Sequence, residues 1–423
     1  MGRLSPAAGT RSAALYDRAR RVLVGGVNSP VRAMRAIGRD PLFIARAEGP
    51  YVWDADGRRY VDYLATWGPA ILGHAPAAVV DAVRDALPDG TSYGAPTERE
   101  VRFAEAVAEA FPSVERLRMT SSGSEAVMGA MRLARAATGR EPIVKVAGGY
   151  HGAIDGLLAE AGSGLTTLGA PTSPGVPAAA TAATRIVPYN DLPAAEAALE
   201  GAAAMLVEPV AGNMGVVPPA PGYLAGLRAA CDRAGALLIL DEVITGFRVA
   251  RGGAQERFGV RADLTCLGKV IGGGLPVGAF GGRADVMREL APEGPCYQAG
   301  TLSGNPLATA AGLAVLGELA REGVYERLEE RGAALEAALL EGGAPVVVNR
   351  IGSMLTPFFA PGPVTDYASA TRSDAGAYGR FARGLLEAGV YPPPSQFEAW
   401  FAGLAHGEPE IAATREAVAR ALA

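Results

Sequence analysis

The sequence contains little cysteine or histidine, and almost no lysine. Three cysteines and three histidines in 423 residues are too few and too scattered for a disulfide framework or a zinc site, so we expect no metal. No apolar stretch approaches the ~20 residues that span a bilayer, and the first residues lack the apolar core of a signal peptide. We therefore expect a protein of the reducing cytoplasm that does not enter a membrane.

Long runs of one charge are also missing. The net charge is −5, and without a basic run neither nucleic acid nor an anionic membrane is an expected partner. Hydrophobic residues make up 49% and charged residues 20% of the chain, a balance that excludes a disordered or fibrous protein. The length predicts two or three packed lobes, and a small molecule is the expected substrate.

Lys145 and Lys269 are the only lysines among 39 basic residues. A coding bias toward arginine explains most of this imbalance. It nevertheless draws attention to the two lysines that remain, because lysine can lose its proton and act as an amine nucleophile, whereas arginine cannot.

The order of apolar and polar segments predicts an α/β protein with three parts. Between about 97 and 315, apolar runs of strand length alternate with helical stretches, which favours a mostly parallel sheet covered by helices on both faces. In such sheets ligands lie at the carboxyl ends of the strands. We predict an N-terminal arm that forms part of a small domain (1–75), a large α/β domain (76–315) and a C-terminal small α+β domain (316–423). The two terminal segments are expected to fold together.

One segment of the large domain has neither helical nor strand periodicity. Residues 161–183 form a long loop of small residues, and loops of this length in compact domains are usually mobile lids or disordered. Both interpretations stay open on the pattern alone.

Lys269 carries the strongest local signal. It follows a short apolar run and precedes three glycines within residues 267–276. Burying an unpaired ammonium is costly, so such a lysine tends toward the neutral amine. A neutral amine is what Schiff-base formation with an aldehyde cofactor requires. A partly exposed lysine at a turn is the alternative.

The apolar run 237–240 ends in two carboxylates, Asp241 and Glu242. A carboxylate at the end of a buried strand is costly unless it pairs with a cation, and a protonated pyridine nitrogen is such a cation. A magnesium ligand is the alternative, but that arrangement normally requires a Walker A loop, which the sequence lacks.

Three further loops contain the residue types that bind a phosphate or a flat ring. Hydroxyl and glycine residues at 120–126 and at 299–306 precede helices, where they either cap the helix or hold an anion. Tyr150, within 148–152, is either a stacking aromatic or a packed core tyrosine. Together with the lysine and the strand-end acid, these loops point to pyridoxal phosphate.

Over nearly its whole length the sequence resembles the class III (fold type I) pyridoxal-phosphate aminotransferases. The segments around Asp241 and Lys269 are common to that family. Residues 25–33, 208–215 and 297–306 are specific to its aminomutase branch. The resemblance implies a fold type I transferase that uses pyridoxal 5'-phosphate and pyridoxamine 5'-phosphate. It also implies an intramolecular amino exchange that converts (S)-4-amino-5-oxopentanoate to 5-aminolevulinate for tetrapyrrole synthesis.

The resemblance also implies a set of cofactor-binding residues. These are Ser122, Gly123, Ser124, Tyr150, His151, Asn213, Asp241, Val243, Lys269, Gly300 and Thr301. Within this set, Lys269 forms the Schiff base and moves protons, and Asp241 pairs with the pyridine nitrogen. Tyr150 stacks on the ring, Val243 packs beneath it, and Asn213 lies near its hydroxyl. The phosphate-binding turn is formed by Ser122, Gly123 and Ser124.

The resemblance assigns the substrate to Ser29, Arg32, Trp67 and Glu398. Arg32 would pair with the substrate carboxylate, and Glu398 would be a charge partner near the Schiff base and a third catalytic residue beside Lys269 and Asp241. Thr301 would reach the cofactor phosphate of the neighbouring subunit, which implies a homodimer. Residues 161–183 match the gating loop, which would retain a diamino intermediate and exclude water.

Two other functions stay open. The chain is alternatively a class III aminotransferase that acts between an amine or amino acid donor and a keto acid, or a non-catalytic relative that binds pyridoxal phosphate. A dinucleotide-binding oxidoreductase is a distant third, because no GxGxxG motif follows a strand. Trp400 and Gly407 depart from the family pattern.

Overall fold

The computed structural model describes residues 10–159, 161–162 and 173–422. The strands are β1 Ile44–Glu48, β2 Tyr51–Asp54, β3 Arg59–Asp62, β4 Arg116–Thr120, β5 Ile143–Val146, β6 Thr184–Val187, β7 Ala204–Val207, β8 Leu237–Asp241, β9 Leu264–Leu267, β10 Gly278–Gly282, β11 Val347–Ile351, β12 Met354–Phe358, β13 Val390–Tyr391 and β14 Trp400–Phe401. The α-helices are Arg11–Val22, Ala77–Ala86, Glu98–Ala110, Gly123–Thr138, Ala178–Thr181, Leu192–Ala198, Tyr223–Ala234, Gly253–Phe258, Ala284–Met287, Pro306–Leu319, Val324–Glu341, Tyr367–Thr371, Ala375–Glu387 and Glu408–Leu422. No helix in these ranges is both long and apolar enough to cross a membrane.

The large sheet has seven strands in the order β4-β10-β9-β8-β7-β5-β6. Strands β9, β8, β7, β5 and β6 run parallel, and β10 is antiparallel to both of its neighbours. Every residue of β5, β7, β8 and β9 is buried, as expected for parallel strands that helices cover on both faces. The predicted mostly parallel sheet is confirmed.

Strand β10 gave no clear signal in the sequence because three of its five residues are glycine. A Cβ on Gly278 would lie 2.2 Å from the carbonyl oxygen of Ser122, and one on Gly282 would lie 2.0 Å from that of Asp263. Glycine is therefore needed where neighbouring backbones approach β10 closely. The same residues that permit the pairing remove the side chains from which a strand is normally recognised.

The smaller lobe is built from both ends of the chain, as the fold-class prediction expected. Strand β13 pairs in parallel with β3 in the sheet β1-β2-β3-β13, and β11-β12-β14 form a second sheet. One apolar cluster joins Val52 and Tyr60 of the N-terminal segment to Leu335, Phe381 and Trp400 of the C-terminal segment. The boundaries at 75 and 315 stay predictions.

Two segments differ in detail from the expectation. The helical region after Pro306 consists of two helices. The first ends at Leu319 and the second begins after Gly323, whose φ of +74° is not helical. Within the predicted gating loop 161–183, residues 163–172 lie outside the described residues. The described part contains the short helix Ala178–Thr181, which follows Pro177 and uses alanine, the strongest helix former. The gating role stays a prediction.

Candidate active site

Two cavities meet at Lys269 along the edge where the parallel strands end. The inner cavity has a volume of about 170 Å³, and the outer one has a volume of about 350 Å³. Both are lined by Tyr150, Asn213, Ile244 and Lys269. The inner cavity is further lined by Gly123, Ser124, Val127, His151, Gly152, Glu208, Asp241 and Val243. Its lining residues follow β4, β5, β7, β8 and β9, and ligands of parallel sheets bind at this position.

Lys269 is separated from the end of β9 only by Gly268, and it begins the one-turn segment Lys269–Gly272 with a φ of +48°. A non-glycine residue in this region of φ is strained, and such strain is common at functional sites. Burial lowers the pKa of Lys269, while the negative charges of Asp241, Glu208 and Glu398 oppose that effect. The direction agrees with the neutral amine that the sequence predicted.

Asp241 and His151 form a buried pair in the lining of the inner cavity. Nδ1 of His151 lies 2.8 Å from Oδ2 of Asp241, and the two residues are 1% and 4% exposed, respectively. Within the described chain, Nε2 of His151 is buried and has no hydrogen-bond partner. A carboxylate at this distance accepts a hydrogen bond from Nδ1–H and so fixes the orientation of the imidazole ring. The pair therefore holds the carboxylate of Asp241 in the lining of the inner cavity, where a cationic ligand atom needs a partner.

The neighbouring Glu242 turns away from both cavities. Its carboxylate accepts the N–H groups of Ala254 and Gln255, at 2.9 Å and 3.0 Å, and a hydrogen bond from the hydroxyl of Thr245. It thereby satisfies donors at the start of the helix Gly253–Phe258. Burial raises the pKa of Glu242 to about 7. Of the two carboxylates that the sequence places together, only Asp241 lines the inner cavity.

The helix Gly123–Thr138 directs its N-terminus toward the inner cavity. Gly123 and Ser124 line the cavity, whereas the hydroxyl of Ser122 accepts the N–H of Glu125 at 3.2 Å and caps the helix. A Cβ on Gly123 would lie 3.0 Å from both methyl groups of Val243, so glycine allows the helix to approach that side chain. The free N–H groups of a helix start bind anions such as phosphate.

Tyr150 stands between the two cavities and is 38% exposed. Partial burial and the charges of Asp241 and Glu398 raise the pKa of Tyr150, so its hydroxyl stays protonated. Tyr150 is therefore not the packed core tyrosine that the sequence left open.

Ser29, Arg32, Trp67 and Glu398 all line the outer cavity, together with Phe401. The guanidinium of Arg32 lies 5.4 Å from the centre of the Trp67 ring, within the range of a cation–π contact. Trp67 belongs to a strained loop, because Ala65, Thr66 and Trp67 have φ values of +45°, +59° and +60°.

This strained loop is held at both of its ends. Oδ1 of Asp62 accepts the N–H groups of Leu64 and Ala65, at 2.9 Å and 3.2 Å, and the buried guanidinium of Arg248 donates to the carbonyl oxygen of Gly68. Strain of this kind persists only where surrounding contacts enforce it.

Some residues singled out in the sequence lie outside the cavities. Gly300 and Thr301 are exposed and line neither cavity. Trp400 is completely buried and stacks on Tyr63, with the ring centres 5.9 Å apart. Its departure from the family pattern therefore belongs to the core of the smaller lobe. Gly407 donates its N–H to Glu410 at 2.8 Å, next to the helix Glu408–Leu422.

Glu208 was given no role in the sequence analysis, although it lies in the segment 208–215. It directly follows the apolar strand β7, is 3% exposed and lines the inner cavity. The signal that identified Asp241, a carboxylate at the end of a buried strand, was also present here. The helical and glycine-rich segments nearby carried more obvious motifs.

The inner cavity therefore combines three kinds of group. A helix N-terminus suits a phosphate, the amine of Lys269 suits an aldehyde, and Asp241 suits a protonated ring nitrogen, while Tyr150 and Val243 border the space for a flat ring. This donor set fits pyridoxal phosphate, and with a mostly parallel sheet it defines a fold type I pyridoxal-phosphate enzyme.

Comparison with known proteins identifies the family. Residues 34–373 match the model of the aminotransferase class-III family, so the chain belongs to that family and its cofactor is pyridoxal phosphate. A glutamate-1-semialdehyde 2,1-aminomutase from Pelotomaculum thermopropionicum is 58% identical over 420 residues, covering 97% of each chain.

Solved structures give the same fold with more than one activity. An omega-transaminase from Sphaerobacter thermophilus aligns with a TM-score of 0.89 and 34% identity, covering 98% of each chain. A glutamate-1-semialdehyde aminomutase from Pseudomonas aeruginosa PAO1 in complex with PMP aligns with a TM-score of 0.86 and 30% identity, covering 97% of this chain and 94% of that one.

Proposed function

We propose that this protein is an isomerase that converts glutamate-1-semialdehyde, (S)-4-amino-5-oxopentanoate, to 5-aminolevulinate in tetrapyrrole synthesis. The observation that carries the proposal is 58% identity to an aminomutase over 97% of both chains. The fold by itself does not select the reaction, because an omega-transaminase superposes with a TM-score of 0.89.

The inner cavity would hold the cofactor through its N-terminal helix, Lys269 and Asp241. When bound, pyridoxal phosphate supplies a carbonyl that exchanges amino groups and a ring that withdraws electrons. Nζ of Lys269, whose pKa burial lowers, would take up and return protons on the substrate carbon. Asp241, whose carboxylate lies 2.8 Å from Nδ1 of His151, would pair with the ring nitrogen and keep it protonated.

The outer cavity would hold the substrate. Arg32 is exposed at its rim and would bind the substrate carboxylate, a pairing that guanidinium geometry favours. Ser29 and Trp67 would shape the pocket, and Glu398 would act as a charge partner near Lys269, whose pKa it raises. Because the two cavities share Lys269 and Tyr150, a substrate can pass its amino group across their boundary without leaving.

The subunit arrangement and the compartment are further parts of the proposal. Thr301 would reach the cofactor phosphate of a neighbouring subunit in a homodimer, and its exposure outside both cavities supports a role in another copy. The three cysteines are free and buried, which suits the reducing cytoplasm. Residues 161–183 would retain the diamino intermediate.

An assay without an added amino acceptor tests the proposed reaction. Purified protein in its pyridoxamine form should convert glutamate semialdehyde to 5-aminolevulinate with no keto acid present. If conversion appears only when a keto acid is added, the protein is instead a class III aminotransferase, the activity that similarity to the omega-transaminase favours. If the protein binds the cofactor and turns over neither mixture, it is a non-catalytic relative.

A further inference from the structure

Glu208 is a buried carboxylate that accepts hydrogen bonds from two separate loops. Its Oε1 accepts the N–H of Tyr150 at 2.9 Å. Its Oε2 accepts the N–H of Gly212 and the side-chain N–H of Asn213, each at 2.9 Å. Tyr150 belongs to the connection after β5, whereas Gly212 and Asn213 belong to the connection after β7.

We propose that Glu208 is a positioning residue that fixes Tyr150 and Asn213 relative to each other at the boundary between the cavities. Tyr150 and Asn213 line both cavities, whereas Glu208 lines only the inner one. A single carboxylate thus connects the two loops between which the substrate must meet the cofactor. The proposal rests on the proposed function only for the identity of the ligands.

A carboxylate suits this position better than an amide. An ionised carboxylate is acceptor-only, and here its two oxygens meet three N–H donors. A glutamine of the same shape would present its own NH₂ group to at least one of these donors, and a buried donor would lose its acceptor. Buried groups left unpaired in this way are expensive, so one of the two loops would shift.

The charge of Glu208 also reaches the reacting amine. The pKa of Glu208 is raised overall, mainly by burial and also by the nearby charge of Asp241. His151 and the N–H groups of Gly212 and Tyr150 partly offset this rise. The charges of Glu208 and Asp241 in turn oppose the effect of burial on the pKa of Lys269. A neutral residue at 208 would therefore change the electrostatics at Lys269 as well as the loop geometry.

Glu242 provides a matched control in the same chain. It is also a glutamate that follows a buried strand, it is completely buried, and it accepts two backbone N–H groups. It lines neither cavity, and its carboxylate oxygens accept N–H groups at the start of the helix Gly253–Phe258. Glu242→Gln therefore replaces a comparable buried carboxyl group at a structural position.

A double-mutant cycle tests the proposal. The variants are Glu208→Gln, Asn213→Ala, the two combined, and Glu242→Gln. Three quantities are measured for each: the affinity of the apoprotein for pyridoxal phosphate, followed by visible absorbance; kcat/KM; and the unfolding midpoint of the apoprotein. We expect Glu208→Gln to weaken cofactor affinity about tenfold and to shift the visible absorbance maximum. In the double variant, Asn213→Ala should weaken cofactor affinity by less than a further twofold beyond Glu208→Gln, because the effects of interacting residues are not additive.

Several results would overturn the proposal. If the effects of the two substitutions on cofactor affinity multiply in the double variant, Glu208 does not act through Asn213. If Glu208→Gln changes only the unfolding midpoint, as expected for Glu242→Gln, its role is structural. Should Glu208→Gln fail to fold, Asn213→Asp replaces it as the test variant. It places a second carboxylate opposite Glu208, so it should bind the cofactor more weakly than Asn213→Ala does. Equal affinities of these two variants would refute the contact.

Failure of the proposed function is distinguishable. A wild-type protein that shows no acceptor-free conversion, but retains the coupling between Glu208 and Asn213 in cofactor affinity, contradicts the reaction and leaves the positioning role intact. Acceptor-free conversion by a protein that lacks this coupling supports the proposed reaction and contradicts the positioning role of Glu208.

Discussion

The two lysines differ in what surrounds their amines. Nζ of Lys145 donates to the carbonyl oxygens of Gly149, Leu157 and Ala159, at 3.1, 3.1 and 3.0 Å. These acceptors engage an ammonium that is fully buried and leave it no lone pair for attack. Lys269 instead lines both cavities. The scarcity of lysine drew attention to both residues, and their surroundings give them opposite tasks.

Replacing the lysine at the cavities should abolish the covalent link to the cofactor. We expect Lys269→Ala to lose turnover and the visible absorbance of the reconstituted protein, because Lys145 is committed to three carbonyl groups. Borohydride reduction of the wild type followed by peptide mapping should place the label on Lys269. A label on Lys145 would show that the reacting amine has been misassigned.

The buried Glu242 should make stability depend on pH in an unusual direction. Its pKa is raised from 4.5 to about 7 in the folded protein, so the folded form keeps a proton that the unfolded chain has already lost between these values. Stability contributed by this group is therefore present at low pH and is lost as pH rises toward 7. Across that window the loss is on the order of 3 kcal/mol.

Urea unfolding of the apoprotein between pH 5 and pH 8 measures this effect. The free energy of unfolding of the wild type minus that of Glu242→Gln should fall as pH rises, because glutamine does not titrate. A difference that stays constant over this range would mean that the carboxyl is ionised throughout.

At the scale of elements, the helix Pro306–Leu319 supports the turn that carries Lys269. A Cβ on Gly312 would lie 2.4 Å from the carbonyl oxygen of Ile271 and 2.5 Å from the ring of Phe103. Ile271 lies in the segment Lys269–Gly272. The absence of a side chain at 312 therefore lets the helix and the lysine turn pack directly against each other.

Two glycines of this helix should respond in opposite ways to alanine. Gly317 is exposed and a Cβ there would meet nothing within 4 Å, so Gly317→Ala should stabilise the protein by ~0.5–1 kcal/mol through helix propensity. Gly312→Ala should destabilise it by about 1–3 kcal/mol through overpacking and weaken cofactor affinity by displacing Lys269. Denaturant midpoints and cofactor titrations measure both effects, and equal behaviour of the two variants would contradict the packing argument.

At the scale of the whole molecule, the site depends on contributions from both lobes. The inner cavity belongs to the large sheet, whereas Ser29, Arg32 and Glu398 reach the outer cavity from the two terminal segments. Thr301, another predicted contributor, is exposed and lines neither cavity. The homodimer that we propose brings the Thr301 of one subunit to the cofactor of the other.

Mixed dimers test whether Thr301 acts between subunits. A dimer of one Lys269→Ala chain and one Thr301→Ala chain would contain one site with both changes and one site with neither. After unfolding and refolding together, an equal mixture should therefore exceed the mean activity of the two parent proteins. Activity equal to that mean would indicate that Thr301 serves its own subunit or no site, and separately refolded proteins mixed afterwards are the control.

Several features were predictable because they depend on local pattern. The alternation of apolar runs and helices predicted the mostly parallel sheet, and the position of Asp241 and Lys269 at strand ends predicted that they lie at one edge. Glycine-rich β10 was not predictable, because its pairing depends on close backbone approach and not on side chains. Glu208 was also missed, since its function follows from donors in two distant loops.

The sequence by itself determined the fold class and the family, because these depend on periodicity and on motifs of residue types that few alternatives can replace. Only the tertiary structure showed how the surroundings of Asp241 differ from those of Glu242, and those of Lys269 from those of Lys145. It alone joined Glu208 to Tyr150 and Asn213. The reason is physical: the charge state and task of a buried polar group depend on which donors, acceptors and charges surround it, and residues far apart in the chain supply them.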